Sequence, residues 1–331
     1  MDKSGAFVLK SSVVITMSDV DALTRVHTYI DTVATRYKTH QNALYLEGVC
    51  VALEYLLDQE VSTVNDVALL EAIKQAAAAI EAVALDKETV RKAVQLALLH
   101  GFKEAQITNA QMTPDTVGIF LSYLIGKLYP KNPPKRVFDP LVGTGNLLAT
   151  LALHGAPLET IIGVDDDPLM ARIARNVLDA LDLRNQIYLQ DTLTFAGPEV
   201  DLMVSDFPPH PRDGSKPYLP YYVILHHLRH LKVGHYAIFI IENDFFDHAK
   251  GQTFRAMLAE DAHLFGLIKL DESLFSTMPK SLLIIKKKID AEEKLDDFLL
   301  VDLPAFTDQA AFARSLQTMD RWFKKKEVDI Q

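Results

Sequence analysis

The sequence predicts an α/β protein in which a mostly parallel sheet follows a small helical domain. Three observations support this prediction. Residues 19–101 contain segments whose apolar residues recur with helical spacing. From residue 136 onward, short apolar runs alternate with such helical segments, which is the order of a parallel sheet covered by helices. A glycine-rich turn with Gly143 and Gly145 follows the first of these apolar runs.

The composition is that of a globular protein. The chain has 331 residues, of which 49% are hydrophobic and 24% are charged, and this length accommodates two ordinary domains. No apolar run approaches the ~20 residues that cross a bilayer, and the run near the N-terminus is too short for a signal peptide. The single cysteine, Cys50, excludes an intrachain disulfide and a cysteine-based metal site. We therefore expect a cytoplasmic protein that does not contact membranes.

The first domain is predicted to cover residues 1–106 and to be helical. Ser18 or Asp19 is a suitable cap for its first helix, and Gly101 is expected to end its last one. An apolar helix face of this kind could serve a homodimer, a protein partner, or only packing. Residues 6–15 form either a short strand or an unstructured lead. The predicted helices start at residue 19 or 20, then cover 42–57, 67–83 after a cap at 62–65, and 90–100.

The second domain is predicted to cover residues 107–331. Thr113 is expected to cap its first helix, with Pro114 at the first helical position. Residues 232–234 are expected to form a turn, and Trp322 to anchor a helical tail on the core. The last two strands are too close for a crossover helix, so we expect an antiparallel edge hairpin. The seven predicted strands are 136–138, 161–164, 186–189, 201–205, 236–241, 265–270 and 281–287.

The turn between the first strand and its helix is expected to bind a nucleotide-like cofactor. Glycines allow close approach of the backbone, and the helix start offers free N–H groups. Asp165, at the tip of the second strand, suits the hydroxyls of a ribose. A dinucleotide fingerprint would have a third glycine where Leu148 stands, which weakens the NAD alternative. A further alternative to cofactor binding is that the glycines only form a tight turn in an ordinary α/β domain.

Six segments, taken in order, resemble the catalytic domain of N6-adenine DNA methyltransferases, above all the modification subunit of type I restriction systems. The resemblance implies a class I, Rossmann-like fold with S-adenosylmethionine (SAM) as cofactor. The segments are Gln111-Met112-Thr113-Pro114, the turn from Asp139-Pro140 to Gly143-Thr144-Gly145-Asn146, Gly163-Val164-Asp165, Asp191-Thr192-Leu193, the strand ending at Asp206, and residues 222–288.

The resemblance also implies roles for individual residues in cofactor binding. The glycine turn and Asn146 would hold the amino-acid end of SAM, and Thr113 would lie against its methionine part. Asp165 would accept from the ribose and Asp191 from the adenine amino group, as carboxylates can. The expected cofactor-binding residues are Thr113, Pro114, Asp139, Pro140, Gly143, Thr144, Gly145, Asn146, Asp165, Asp166, Asp191, Thr192 and Leu193.

The family's catalytic motif, Asn/Asp/Ser-Pro-Pro-aromatic, is altered in this sequence. In the family, the first side chain and the next carbonyl accept from the target amine, and the aromatic ring stacks on an extruded base. Here the expected catalytic residues are Asp206, Phe207, Pro208 and Pro209. A shift by one restores both prolines but places Phe207 at the acceptor position and His210 at the stacking position. One element of the motif is missing in either alignment, and the stacking ring would come from Phe207, His210 or Tyr218.

The predicted function is methyl transfer from SAM to an exocyclic amine, with adenine in DNA or another nucleic acid as the implied substrate. The alternative is a SAM-binding regulator or adaptor that has lost turnover, because the catalytic motif is altered. The net charge of −10 opposes a broad nucleic-acid surface. Stand-alone enzymes of the family carry a target-recognition domain, but only about forty residues follow the sheet here, fewer than such a domain needs. The resemblance is therefore to a modification subunit that stands alone and has no target-recognition domain.

Two groups of polar residues in this domain have more than one interpretation. The basic runs 286–288 and 324–326 are either solvated surface or contacts to DNA. His226 and His230 share a helical face, but no third ligand has a recognisable spacing. His226, His227 and His230 are therefore expected to be surface or packing residues rather than metal ligands. We therefore predict no metal site.

Overall fold

The computed structural model divides into two compact units, Met1–Ala105 and Gln106–Gln331. The expected strand or lead at residues 6–15, the cap at Ser62 and the motif residue Gln111 lie outside the described residues. The structure describes residues 17–58, 61, 63–81, 85–108, 112–155, 157–210, 217–275, 278–295 and 297–329.

The first unit is helical, as predicted. Asp66 and Asp86 cap the third and fourth helices, because their carboxylates accept from Leu69 N at 3.0 Å and Thr89 N at 2.9 Å. The prediction that Ser18 or Asp19 caps the first helix was wrong, because this helix begins at Met17 and includes both residues. The helices of the first unit are α1 (Met17–Gln41), α2 (Tyr45–Asp58), α3 (Val67–Ala78) and α4 (Lys87–Glu104).

Gly101 does not end α4, contrary to the prediction. It lies inside this helix, where an added Cβ would come within 2.4 Å of the Leu46 side chain of α2. Glycine at this position therefore permits close packing of two helices and has no role in termination. Local sequence indicates where a glycine stands but not which neighbouring helix lies against it.

The second unit is built on one sheet in the order β3-β2-β1-β4-β5-β7-β6-β8. Its pairs are parallel, except that β7 is antiparallel to both β5 and β6. The strands are β1 (Arg136–Asp139), β2 (Thr160–Asp165), β3 (Asn185–Leu189), β4 (Val200–Asp206), β5 (Leu231–Glu242), β6 (Ala262–Lys269), β7 (Lys280–Lys287) and β8 (Leu299–Asp302).

Helices connect and cover these strands. Tyr221 of α8 stacks on Phe254 of α9 at 4.4 Å between ring centroids, and both belong to a core cluster that includes Phe239 of β5. Trp322 of α10 contacts Phe265 of β6 edge-on at 5.3 Å, as expected for an anchor. The helices are α5 (Asp115–Leu128), α6 (Asn146–His154), α7 (Pro168–Ala180), α8 (Leu219–His227), α9 (Gly251–Asp261) and α10 (Gln309–Asp329).

The predicted fold class is confirmed, and the described sheet has one strand more than expected. The short strand β8 pairs in parallel with β6, so the antiparallel hairpin is not at the edge of the sheet. The predicted turn at 232–234 lies inside β5, where Gly234 has φ 75° and the register against β4 shifts. Within the described parts of the chain, no helix has the length and apolar character needed to span a bilayer.

Candidate functional site

A cavity of about 290 Å³ lies at the carboxyl ends of β1, β2 and β4. Parallel strands bring these ends to one edge of the sheet, where α/β proteins bind ligands. The volume lies near the lower end of the range for small-molecule sites. The expected site residues that line the cavity are Thr113, Asp139, Gly143, Thr144, Asn146, Asp165, Asp166, Asp206 and Pro208.

The glycine turn shapes one wall of this cavity. Gly143 and Gly145 have φ values of 52° and 74°, in the left-handed region that side chains rarely adopt. A Cβ on Gly145 would lie 3.2 Å from the Ala174 Cα of α7. The turn therefore holds the start of α6 close to α7, and Asn146, the first residue of α6, lines the cavity. A helix start beside a cavity favours polar or anionic ligand groups.

Asp165 ties the turn to the end of β2. Its Oδ2 accepts from Gly143 N at 2.9 Å, and its Oδ1 accepts from Asp167 N at 3.0 Å. Burial raises the pKa of Asp165, and the charges of Asp166 and Asp167 add to this effect, whereas the two amide bonds oppose it. Each carboxylate oxygen can accept a second hydrogen bond, so contact with ligand hydroxyls stays open.

Asp139 is fully buried between the ends of β1 and β4. Its Oδ1 accepts from Leu141 N at 3.0 Å and from Ser205 Oγ at 2.7 Å. Burial, with a smaller contribution from the nearby carboxylates of Asp206 and Asp165, raises the pKa of Asp139 to about 7, although the two hydrogen bonds oppose this rise. Asp139 therefore shapes the cavity floor by joining two strands.

Asp206 is held by residues from distant parts of the chain. Thr113 Oγ1 donates to Asp206 Oδ2 at 2.9 Å, and Asn146 Nδ2 donates to the Thr113 carbonyl at 3.0 Å. The predicted capping role of Thr113 was wrong, because Pro114 is the cap residue of α5 and no side chain caps this helix. The hydroxyl of Thr113 orients the carboxylate instead.

Lys280, the first residue of β7, completes this arrangement. Its Nζ donates to Asp206 Oδ1 at 2.5 Å and to the Phe207 carbonyl at 3.1 Å. The side chains of Lys280 and Asp206 are 4% and 12% exposed. A carboxylate and a carbonyl thus converge on one primary ammonium at the cavity edge. Sequence reasoning missed Lys280, although a charged residue that opens a buried apolar strand was a usable signal.

The candidate stacking rings differ in their accessibility. Phe207 is 2% exposed and stacks on Phe239 at 5.3 Å, so its ring belongs to the core. Tyr218 is also buried and stacks on His248 at 3.7 Å. His210 is half-buried and contacts Tyr218 edge-on at 5.0 Å. Of these three candidates, His210 has the most accessible ring.

The remaining expected residues lie around the cavity rather than in its wall. Asp191 is exposed, and its side chain accepts from Leu193 N at 2.9 Å at the end of β3. Thr192 is buried, and its hydroxyl bonds His227 Nε2 at 2.8 Å. Other expected residues that do not line the cavity are Pro114, Pro140, Gly145, Phe207 and Pro209.

The three histidines pack around one arginine. Arg229 Nη2 lies 2.8 Å from His226 Nε2, and Arg229 Nε donates to His230 Nε2 at 2.9 Å. Burial lowers the pKa of His227 to about 3 and lowers the pKa of His230 in the same direction. The rings of His227 and His230 are therefore neutral at pH 7 and serve packing and hydrogen bonding.

Much of the positive charge in the two basic runs is paired within the chain. Lys286 Nζ lies 2.6 Å from Glu293 Oε1, and Lys287 Nζ donates to the Leu231 carbonyl at 2.7 Å. Asp297 lies 3.2 Å from Lys325 Nζ and 3.5 Å from Lys326 Nζ. These contacts reduce the charge available for phosphate groups.

Two family models match this chain. Residues 98–327 match the N-6 DNA methylase model. Residues 24–102 match the YtxK N-terminal helical domain. The first match spans the sheet, the cavity and Lys280, whereas the second covers the helical unit.

Similar proteins come from bacteria. The uncharacterized protein YtxK of Bacillus subtilis (strain 168) is 30% identical over 261 residues, which are 73% of this chain and 79% of that protein. A crystal structure of a proposed class I SAM-dependent methyltransferase from Listeria monocytogenes is 28% identical, with a TM-score of 0.81 over 92% of this chain and 99% of that one. A type I restriction-modification methyltransferase subunit from Streptococcus thermophilus is 15% identical, with a TM-score of 0.57 over 86% and 68%.

Proposed function

Because the chain belongs to the N-6 DNA methylase family, we propose that its cavity binds SAM and that Asp206 holds the amine to be methylated. Family membership confirms the predicted SAM-dependent methyltransferase of the N6-adenine type. The comparisons offer no support for a regulator without turnover. The residue assignments below are our proposal, and the convergence of Asp206 Oδ1 and the Phe207 carbonyl on one ammonium carries it.

The cavity residues fit SAM in kind and in position. The left-handed turn at Gly143 and Gly145 packs against Ala174 of α7, and Gly143 and Thr144 place its backbone in the cavity wall. Asn146 and Asp165 supply polar groups at the ends of α6 and β2, where the amino-acid and ribose parts would be held. When bound, SAM supplies an electrophilic methyl group.

The acceptor pair is suited to a primary amine. Asp206 Oδ1 and the Phe207 carbonyl can each accept one N–H, which leaves the nitrogen lone pair directed away from both oxygens. Thr113 fixes the orientation of the carboxylate by donating to its other oxygen. The negative charge of Asp206 also stabilises the positive charge that grows on the nitrogen during methylation. We propose the N6 amine of adenine as the acceptor, with DNA as its carrier.

In the structure, the ammonium of Lys280 occupies both acceptors. Each of these oxygens can accept a second hydrogen bond, but Nζ occupies the position where both converge, so an amine that binds both oxygens from that position must displace it. We infer that the described conformation is the closed state of the acceptor site, and that Lys280 moves away when a base enters. The N-terminal helices remain candidates for a homodimer or partner contact, which could help to deliver DNA to a chain with a net charge of −10.

Paired aspartate variants test this assignment. We expect Asp165→Ala to weaken SAM binding in calorimetry, and Asp206→Ala to bind SAM normally but to lose transfer of radiolabelled methyl to adenine-containing DNA. Asp302→Ala is the matched control, because Asp302 is an exposed carboxylate at the end of β8. Unchanged transfer by Asp206→Ala would refute its proposed role, and normal SAM binding by Asp165→Ala would refute the proposed cofactor contact.

A further inference from the structure

A second group of ligating side chains lies where β5 ends. Glu242 is the last residue of β5, Asp244 follows it by two positions, and a single 3₁₀ turn separates Asp244 from His248. One ligand atom from each of these three residues lies within 4.8 Å of the others. A short, continuous piece of chain thus brings two carboxylates and an imidazole together.

Glu242 lacks the partner that its burial requires. Its side chain is 3% exposed, and neither carboxylate oxygen has a hydrogen-bond partner among the described residues. Lys280 is opposite Glu242 in the β5–β7 register, but its ammonium donates to Asp206 and Phe207. A buried carboxylate without a partner is strongly unfavourable. The carboxylate of Glu242 therefore requires an additional cation.

The spacing of the other two ligands fits a metal. Asp244 Oδ1 and His248 Nε2 lie 3.6 Å apart. Two ligands bound at about 2.1 Å in a tetrahedral zinc site are about 3.4 Å apart. The imidazole is also preoriented, because the ring of His248 stacks on Tyr218 with an interplanar angle of 10°.

We propose that Glu242, Asp244 and His248 bind one divalent transition-metal ion, with Zn²⁺ as the reference metal. Two carboxylate oxygens and one imidazole nitrogen form a donor set that suits Zn²⁺, and three protein ligands leave a fourth position for water. The ion neutralises Glu242. Through His248 and Tyr218 it also steadies His210, which follows the acceptor motif directly. This proposal stands apart from the assignment of the methyl-transfer site.

Metal binding to the full-length chain tests the proposal. Protein dialysed against a chelator is titrated with Zn²⁺, and bound zinc is counted by mass spectrometry after gel filtration. We expect one Zn²⁺ per chain and a higher unfolding temperature with zinc. Glu242→Gln and His248→Gln should each weaken affinity by at least about 100-fold, since even outer partners of metal ligands account for 10- to 100-fold. His154→Gln, at an exposed histidine of α6, is the control.

Several results would overturn the proposal. They are the absence of zinc binding by the wild-type chain, equal zinc binding by the ligand variants, and a Glu242→Gln variant that is more stable while zinc has no effect on the wild type. The last result would mean that Glu242 needs no cation at this position. If the variants do not fold, the visible absorption of Co²⁺ added to the wild-type chain decides the matter, because a site with these ligands gives tetrahedral or five-coordinate bands and a surface site does not.

Discussion

Replacing Lys280 with methionine tests whether its ammonium competes with the target amine. Methionine retains most of the volume of the lysine stem and removes only the charge and the donors. In the structure, this ammonium donates to Asp206 Oδ1 and to the Phe207 carbonyl. Asp206 and Pro208, the neighbours of Phe207 in the chain, line the cavity. The substitution therefore frees the acceptor pair without altering the cofactor side of the cavity.

The magnitude follows from the two hydrogen bonds. Both bonds are donated by the charged ammonium, and each contributes about 1.5–3 kcal/mol, so displacing Lys280 costs an incoming amine about 3–6 kcal/mol. One factor of ten corresponds to about 1.4 kcal/mol. We therefore expect Lys280→Met to raise kcat/KM for methyl transfer by at least about 100-fold.

The assay measures methyl transfer to an adenine-containing oligonucleotide, with SAM affinity measured separately. Lys287→Met is the matched control, because Lys287 lies on the same strand and its Nζ donates to the Leu231 carbonyl. We also expect Lys280→Met to be less stable than the wild type, because Asp206 loses its cation, and breaking a buried pair costs up to about 3–5 kcal/mol. A folded Lys280→Met chain that binds SAM but transfers methyl as poorly as Asp206→Ala would refute the reasoning, since Lys280 would then be needed for the reaction.

Two further predictions concern stability. Burial raises the pKa of Asp139 from 3.8 to about 7 in the folded chain. Between these pH values the folded state holds a proton that the unfolded state has lost, so the free energy of unfolding falls as the pH rises to the folded pKa. The loss of stability amounts to about 2–3 kcal/mol between pH 5 and pH 8. Asp139→Asn should remove this loss when urea unfolding is measured at the two pH values. An unchanged difference in stability between them would contradict the raised pKa of Asp139. Gly145→Ala should destabilise the chain by about 1–2 kcal/mol, because φ is 74° and Ala174 lies 3.2 Å from the new Cβ. Gly126→Ala in α5, where nothing lies within 4 Å of an added Cβ, should instead stabilise by about 0.5–1 kcal/mol, and equal effects of the two changes would contradict the role of the turn.

Local features of the sequence were sufficient for much of the fold. The alternation of apolar runs and helical segments predicted the mostly parallel sheet, and the end of the run at residues 201–205 predicted that Asp206 follows a strand. The sequence-based predictions were wrong where contacts between distant segments decide the local structure. The strand β8 is four residues long and depends on pairing with β6, and the turn at 232–234 became a bulge because β4 pairs on both sides of it.

The sequence by itself determined the elements, the glycine turn and the position of Asp165, because turn chemistry and apolar periodicity are local properties. Only the tertiary structure decided what surrounds Asp206. Among the described residues, its side-chain partners Thr113 and Lys280 are 93 and 74 positions away in the chain. Lys280 reaches it because β7 runs antiparallel to its neighbours, so that this strand begins at the edge where β4 and β5 end.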